Sequence, residues 1–402
     1  MQNAVLSYPW HNFNGKKPME NITARKIAEC ALNRIFGFEP RIGHSLVEYA
    51  GSPEEVFRLD RDTIRDAMGP YWKYISQICP AALESAEREL ERLARDGVVF
   101  IGSEEEGYPE LLRECEDRPI GLYLKSEDSA GNIFCRRPAI AIVGTRDMTS
   151  YGEEWCRDFV ECLARTTSRP VIISGLAFGV DITAHRAALD HGLPTVAVMA
   201  TGIDKVYPRN HIHTADRMVS TDGCALLTDY PPGTSPLPIH FMRRNRIIAG
   251  LADQVVLVES RVKGGGMMTA RLAHSYNRDV FALPGRIDDA RSQGCNMLIR
   301  EKVAEPAGEA GDLVRMMGLG DGSSTKRRGP ESILAERYPE AIGKTMEDMV
   351  SIVRAIIRNR GIDIEGIRNV TGLPYSTVAG VTELLCADGI IGMDLLGRCR
   401  FL

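Results

Sequence analysis

The chain has 402 residues, 49 Lys and Arg against 54 Asp and Glu, a formal charge of -5 and 44% hydrophobic residues. That composition belongs to a soluble globular protein with apolar content for two to four domains, and it excludes a disordered or low-complexity chain. No apolar run reaches the length of a membrane span and residues 1–18 lack the apolar core of a signal peptide, so a cytoplasmic protein with no membrane partner is expected.

Residues 19–95 read as an N-terminal helical domain, with helices over 24–36, 42–50, 53–58 and 81–95 separated by Gly37, Gly43, Gly51 and Gly69. The stretch 36–43 between the first two helices fits a SAM or helix-hairpin-helix element. A generic helical packing domain fits it equally well. Residues 96–317 alternate β-rich runs with amphipathic helical stretches. The strands fall at 139–143, 171–174, 195–199, 224–228, 254–258 and 280–282, and the helices include 153–165, 181–190 and 269–276. Runs apolar on both faces, each followed by a turn and a helix, predict an α/β fold with a doubly wound parallel sheet. Ligands on such sheets bind at the carboxyl ends of the strands.

Residues 318–330 have the composition of a flexible linker, in which Lys326-Arg327-Arg328 reads as a solubilising cluster. Residues 331–402 follow with three helices, at 350–360, 364–370 and 375–387, and a hairpin pairing 390–393 with 398–402. That order predicts a winged-helix domain. The helix that would read DNA carries Glu383 and neither Lys nor Arg, so a protein-docking or weakly DNA-binding module is expected.

Charge is uneven along the chain. Of its three parts, only residues 138–300 carry more Lys and Arg than Asp and Glu, and they contain the tract Phe241-Met242-Arg243-Arg244-Asn245-Arg246. Arg presents a planar donor fork that matches phosphate oxygens. The tract fits either a solvated helix face or the first turn of a helix whose free amides favour anions. Three turns at predicted strand ends suit the second use. They are Gly144-Thr145-Arg146, the run from Ser174 to Asp181 that includes Gly175 and Gly179, and Lys263-Gly264-Gly265-Gly266 leading to Thr269. Glycine lets backbone amides approach an anion closely, and each following helix adds its dipole.

Cofactor chemistry has little support. The phosphate loop of nucleotide triphosphatases is absent, and the partial dinucleotide match at Gly264, Gly266 and Thr269 comes late in the sheet rather than after its first strand. The ten cysteines are scattered without a Cys-x-x-Cys pair, which predicts reduced thiols and no metal. Ser174, Asp181 and His185 could form a hydrolytic triad. The nucleophile-elbow pattern is missing, so a structural Asp181–His185 pair anchoring the turn is the better reading.

In their order, these motifs resemble the DNA-processing protein A (DprA/Smf) family. The matching residues begin with Tyr108-Pro109, Gly144-Thr145-Arg146 and Ser174-Gly175-Leu176-Ala177-x-Gly179-x-Asp181 with Ala184-His185. They continue with Gly202-Ile203-Asp204, Tyr207-Pro208, Asn210, Phe241-x-x-Arg244-Asn245-Arg246, Glu259, Thr269-Ala270, Pro284-Gly285 and Gly294-x-Asn296-x-Leu298-Ile299. Departures are Gly264-Gly265-Gly266 in place of the frequent Ser-Gly-Ser, Met242 for Pro, and Thr228-Asp229-Tyr230 for Ser-Glu-Tyr.

The resemblance implies an extended Rossmann-like domain that binds single-stranded DNA, forms a homodimer and loads the recombinase RecA during natural transformation, as a mediator rather than an enzyme. It implies a DNA-binding set of Gly144, Thr145, Arg146, Ser174, Gly175, Gly179, Lys205, Tyr207, Asn210, Phe241, Arg244, Asn245, Arg246, Gly265 and Thr269. Arg146, Arg244 and Arg246 would grip phosphates, and Arg243 would face solvent and be dispensable. Met297-Leu298-Ile299 suits a dimer interface or ordinary burial. Two other classes compete. A nucleotide N-glycosidase on the same fold would need a carboxylate on the helix after Thr269, where Ala270-Arg271-Leu272-Ala273 stands. A transcription regulator would work through the C-terminal module and lose DNA binding without it.

Overall fold

The computed structural model describes residues 22–134 and 138–319, and residues 334–401 apart from 336, 342, 360 and 395–396. The expected linker beyond residue 319, with its basic cluster, lies outside the described residues. Those described up to Leu319 form one compact unit, and those from 334 onward belong to a second.

The first unit opens with helices α1 (Ala24–Phe36), α2 (Pro40–Ala50), α3 (Pro53–Val56), α4 (Arg61–Met68) and α5 (Pro80–Arg95). Thr23 caps α1 by accepting the Lys26 amide at 3.2 Å. Nine strands follow: β1 (Val98–Gly102), β2 (Gly121–Lys125), β3 (Ala139–Val143), β4 (Val171–Ser174), β5 (Thr195–Val198), β6 (Ala225–Thr228), β7 (Gln254–Leu257), β8 (Asp279–Ala282) and β9 (Glu305–Pro306). They form one sheet in the order β1-β2-β6-β5-β4-β3-β7-β8-β9. From β6 to β9 every neighbouring pair is parallel, whereas β1 and β2 join antiparallel at one edge.

Residue alternation divides the core. Ala141, Val143, Val255 and Leu257 point to one face of the sheet; Ile140, Ile142, Val256 and Val258 point to the other. Between the strands run α6 (Glu110–Arg113), α7 (Ala130–Ile133), α8 (Ser150–Ala164), α9 (Val180–Asp190), α10 (Ile212–Val219), α11 (Pro238–Leu251), α12 (Gly265–Ser275), α13 (Gln293–Arg300) and α14 (Ala310–Met316). The first face is covered by α11, α12 and α13 through Ile247, Ile248, Met267, Ala270 and Leu298. The second is covered by α8, α9 and α14 through Phe159, Val160, Ala184, Ala188 and Leu313. With helices on both faces, strands read as continuous apolar runs. Chain order reverses between β3 and β7, which makes their carboxyl ends the topological switch point.

Two expectations change. The boundary expected at residue 95 falls between α5 and β1, and the elements on either side share a core. Cys30, Leu90 and Leu93 of the helices pack with Phe100 and Tyr123 of the edge strands. The arginine tract also shifts. Its helix, α11, starts at Pro238, whose missing N–H and fixed φ suit the first helical position. Arg243 to Arg246 therefore lie past the first turn, beyond the free amides that the first-turn reading required.

The second unit holds helices Lys344–Arg358, Ile364–Thr371 and Tyr375–Ala387, then an antiparallel ribbon of Ile391–Met393 and Cys399–Phe401. Its core is its own, with Ile352, Val353, Ile356, Ile367, Val378, Leu385 and Ile391 buried together.

Candidate nucleic-acid interface

At the switch point, the segments leaving β3 and β7 are stapled together. The Thr145 amide donates to the Glu259 carbonyl at 2.7 Å. The buried Glu259 carboxylate accepts the Thr149 amide at 2.9 Å and the Thr149 hydroxyl at 2.5 Å. Thr149 in turn caps α8, accepting the Gly152 amide at 3.1 Å. Gly152 is required here, because a β-carbon on it would stand 2.7 Å from the Glu259 carboxyl carbon.

A cleft of about 680 Å³ opens beside this staple. Gly144, Thr145 and Arg146 form one wall, and Ser260, Arg261, Lys263 and Gly264–Gly266 another; α11 contributes Phe241, Arg244 and Asn245. Arg146 is exposed and its guanidinium lies over the Phe241 ring, 5.0 Å from the centroid. Tyr207, 45% exposed, meets the same ring edge-on at 5.6 Å. Arg261 and Lys263 are exposed, and Arg261 lies 3.9 Å from Asp147. The cleft thus joins exposed cations, an edge-on ring pair and a glycine turn at the start of α12.

The expected site residues divide into three groups. Gly144, Thr145, Arg146, Tyr207, Phe241, Gly265 and Thr269 line the cleft, and Asn245 lines it while its amide donates to the Gly265 carbonyl at 3.4 Å. Arg244 also lines it, but from beneath. Only 4% exposed, it donates to the carbonyls of Gly175, at 2.7 Å, and Val198. Burial lowers its pKa, partly offset by Asp181. Arg244 therefore braces the floor and adds positive potential to it, rather than reaching out as a free fork.

The remaining residues stand outside the lining. Arg246, expected as a phosphate grip, is 7% exposed; it pairs with the buried Asp229 carboxylate at 2.6 Å and donates to the Asp117 carbonyl. Both terminal nitrogens of its guanidinium are thus engaged inside the fold. Ser174 is buried and donates to the Ile142 carbonyl at 2.6 Å, which makes it a strand-to-strand tie. Gly175 is needed because a β-carbon would strike the Arg244 guanidinium, and Gly179, with φ of 73°, packs on the backbone of Thr145 and Arg146. Lys205 donates to the Gly233 carbonyl at 2.7 Å, and Asn210 is exposed beyond the rim. Arg243 is not free in solvent: it lies 4.6 Å over the Phe38 ring and so ties α11 to the segment joining α1 and α2.

Asp181 and His185 do not meet as a pair. Asp181 accepts the Ala177 amide at 3.3 Å and anchors the turn, while burial pushes its carboxyl up against the pull of Arg244. His185 bonds the Thr195 hydroxyl at 2.8 Å, and burial lowers its pKa to about 3, so the ring is neutral. The sequence reading placed Lys263 in the third turn but left it out of the DNA-binding set, and it passed over Arg261. Two cations directly after a strand and before three glycines were the available signal.

The sequence profile of the family described as DNA recombination-mediator protein A matches residues 99–318, more than half of the chain. The chain belongs to this family. Members of the family are recombination mediators rather than enzymes. The matched span begins in β1 and runs through α14, so it contains the whole cleft. Smf of Escherichia coli (strain K12) is 38% identical over 218 residues, which is 54% of this chain and 56% of that protein. DNA processing protein DprA of Streptococcus pneumoniae is 40% identical over 195 residues, 48% of this chain and 66% of that one. The aligned region thus spans between about half and two thirds of these relatives. An X-ray structure of DprA from Streptococcus pneumoniae superposes with a TM-score of 0.61 at 30% identity, covering 73% of this chain and 98% of that one. No helix among the described residues is long and apolar enough to cross a membrane.

Proposed function

We propose that the chain binds single-stranded DNA in the switch-point cleft and acts as a recombination mediator, protecting the strand and loading RecA recombinase on it during natural transformation. One observation carries the reading: Arg146, Arg261 and Lys263 share a cleft with the Tyr207–Phe241 ring pair and a glycine turn. Single-strand binders without sequence preference combine cations that track the backbone with aromatic faces on which bases stack. Backbone amides at Gly265 and Gly266 add neutral donors for phosphate oxygens. The proposal includes a cytoplasmic homodimer formed through the α/β unit. It also includes a winged-helix role for the C-terminal unit in docking protein rather than reading bases.

The nucleotide N-glycosidase reading has no observation in its favour. The cleft carboxylate Asp181 is committed to the turn it anchors, and Glu259 is committed to Thr149.

Binding of a labelled oligothymidylate against salt tests the proposal. Each phosphate contact contributes about -0.7 to the log–log slope for a single strand. The variant carrying both Arg146→Ala and Lys263→Ala is expected to lose affinity at least tenfold and to flatten the slope by about two contacts, with an unchanged melting temperature. Wild-type affinity and slope in that folded variant would falsify the assignment.

A further inference from the structure

Phe178 follows Ala177, which lines the cleft, yet is not itself part of the lining. Its side chain is 45% exposed and meets the His211 ring edge-on at 4.7 Å. The turn presenting it is rigid. Leu176 is fully buried with φ of 57°, a left-handed conformation uncommon for a residue with a β-carbon. Its carbonyl accepts the His211 Nδ1–H at 2.9 Å, and Gly179 closes the turn at φ of 73°. Strain of this kind persists where the surroundings over-determine it and marks functional positions.

Two cations lie near the His211 ring that Phe178 meets. Arg186 is exposed and is steadied by donating to the Thr214 hydroxyl at 3.3 Å; it lies close enough to the His211 ring to act with burial against its protonation. Arg209 is exposed at the start of the turn that supplies His211. Neither is in an ion pair with a carboxylate among the described residues. A half-exposed ring on a turn, with two exposed guanidiniums around its histidine partner, combines the same chemical groups as Phe241 and Arg146.

We propose that a single strand leaving the cleft past Ala177 continues over Phe178, stacking a base on its ring while Arg186 and Arg209 meet the adjoining phosphates. The inference rests on the reading of the cleft as a single-strand site, and it lengthens the footprint toward α10.

Fluorescence anisotropy with oligothymidylates of about 6 and about 20 nucleotides tests it in the full chain, since single-strand footprints fall in this range. The wild-type chain gains affinity with length. Phe178→Ala shrinks that gain about tenfold and Phe178→Tyr keeps it, because stacking needs the ring and not its substituents. Arg209→Ala flattens the salt slope for the longer strand by about 0.7. A length gain undiminished in Phe178→Ala, or absent from the wild type, overturns the extension and leaves the cleft reading in place. Failure of the wild-type chain to bind either oligonucleotide overturns both.

Discussion

Four neighbouring residues of α11 meet four different fates. Arg243 lies on Phe38, Arg244 props the floor of the cleft, Asn245 ties to Gly265, and Arg246 is sealed against Asp229. The sequence shows the cluster but not the helical phase, which depends on where Pro238 starts the turn. It also does not show that Asp229, just past β6, would stand opposite Arg246. Removing one partner of a buried pair strands the other charge. Arg246→Ala is therefore expected to destabilise the protein by about 3–5 kcal/mol, measured by urea unfolding. If Arg246 served mainly to hold phosphate, the variant would unfold as the wild type does and bind DNA poorly.

Among the elements, the parallel strands and their helices were legible because each buried run ends in a turn and a helix. Helix α1 matches its expected span, residues 24–36, with Thr23 as its cap. Strands β1 and β2 were not read, because neither leads into a long amphipathic helix. Their pairing is antiparallel and their burial comes from α1 and α5, which no local pattern announces. The turns of the cleft were located from their glycines, and backbone geometry now separates the glycines. At Gly179 a β-carbon would stand 2.2 Å from the Thr145 carbonyl oxygen, on a backbone already at positive φ. Gly179→Ala should displace the Thr145–Arg146 segment, lower the melting temperature and weaken oligonucleotide binding together. Loss of binding with wild-type melting would show that the glycine acts only by admitting DNA.

For the molecule as a whole, stability depends on pH through the junction of the helices with the sheet. Glu29 of α1 is 2% exposed and lies over Gly102 of β1, where a β-carbon would collide with its carboxylate. Neither of its oxygens has a hydrogen-bond partner, and Arg25 is 3.6 Å away. Burial, reinforced by Glu105, pushes this carboxyl from 4.5 up to about 7. A folded value above the unfolded one means the contribution is complete below pH 4.5 and is lost as pH rises through about 7. The gap corresponds to a loss on the order of 3 kcal/mol at alkaline pH. Glu29→Gln, neutral at every pH, should raise the melting temperature near pH 8 and change it little near pH 5. Equal effects at both values would show that Glu29 is already ionised in the folded chain.

The Glu259 staple has a kinetic consequence. Because the walls of the cleft are cross-tied through one buried side chain and its own carbonyl, a single strand bound there, as proposed, meets walls already held together. Encounter is then governed by charge and diffusion. Differences between sequences or variants should appear chiefly in how long the strand resides. On the proposed reading, variants that keep the cleft charge bind at similar rates, and their differences lie in release.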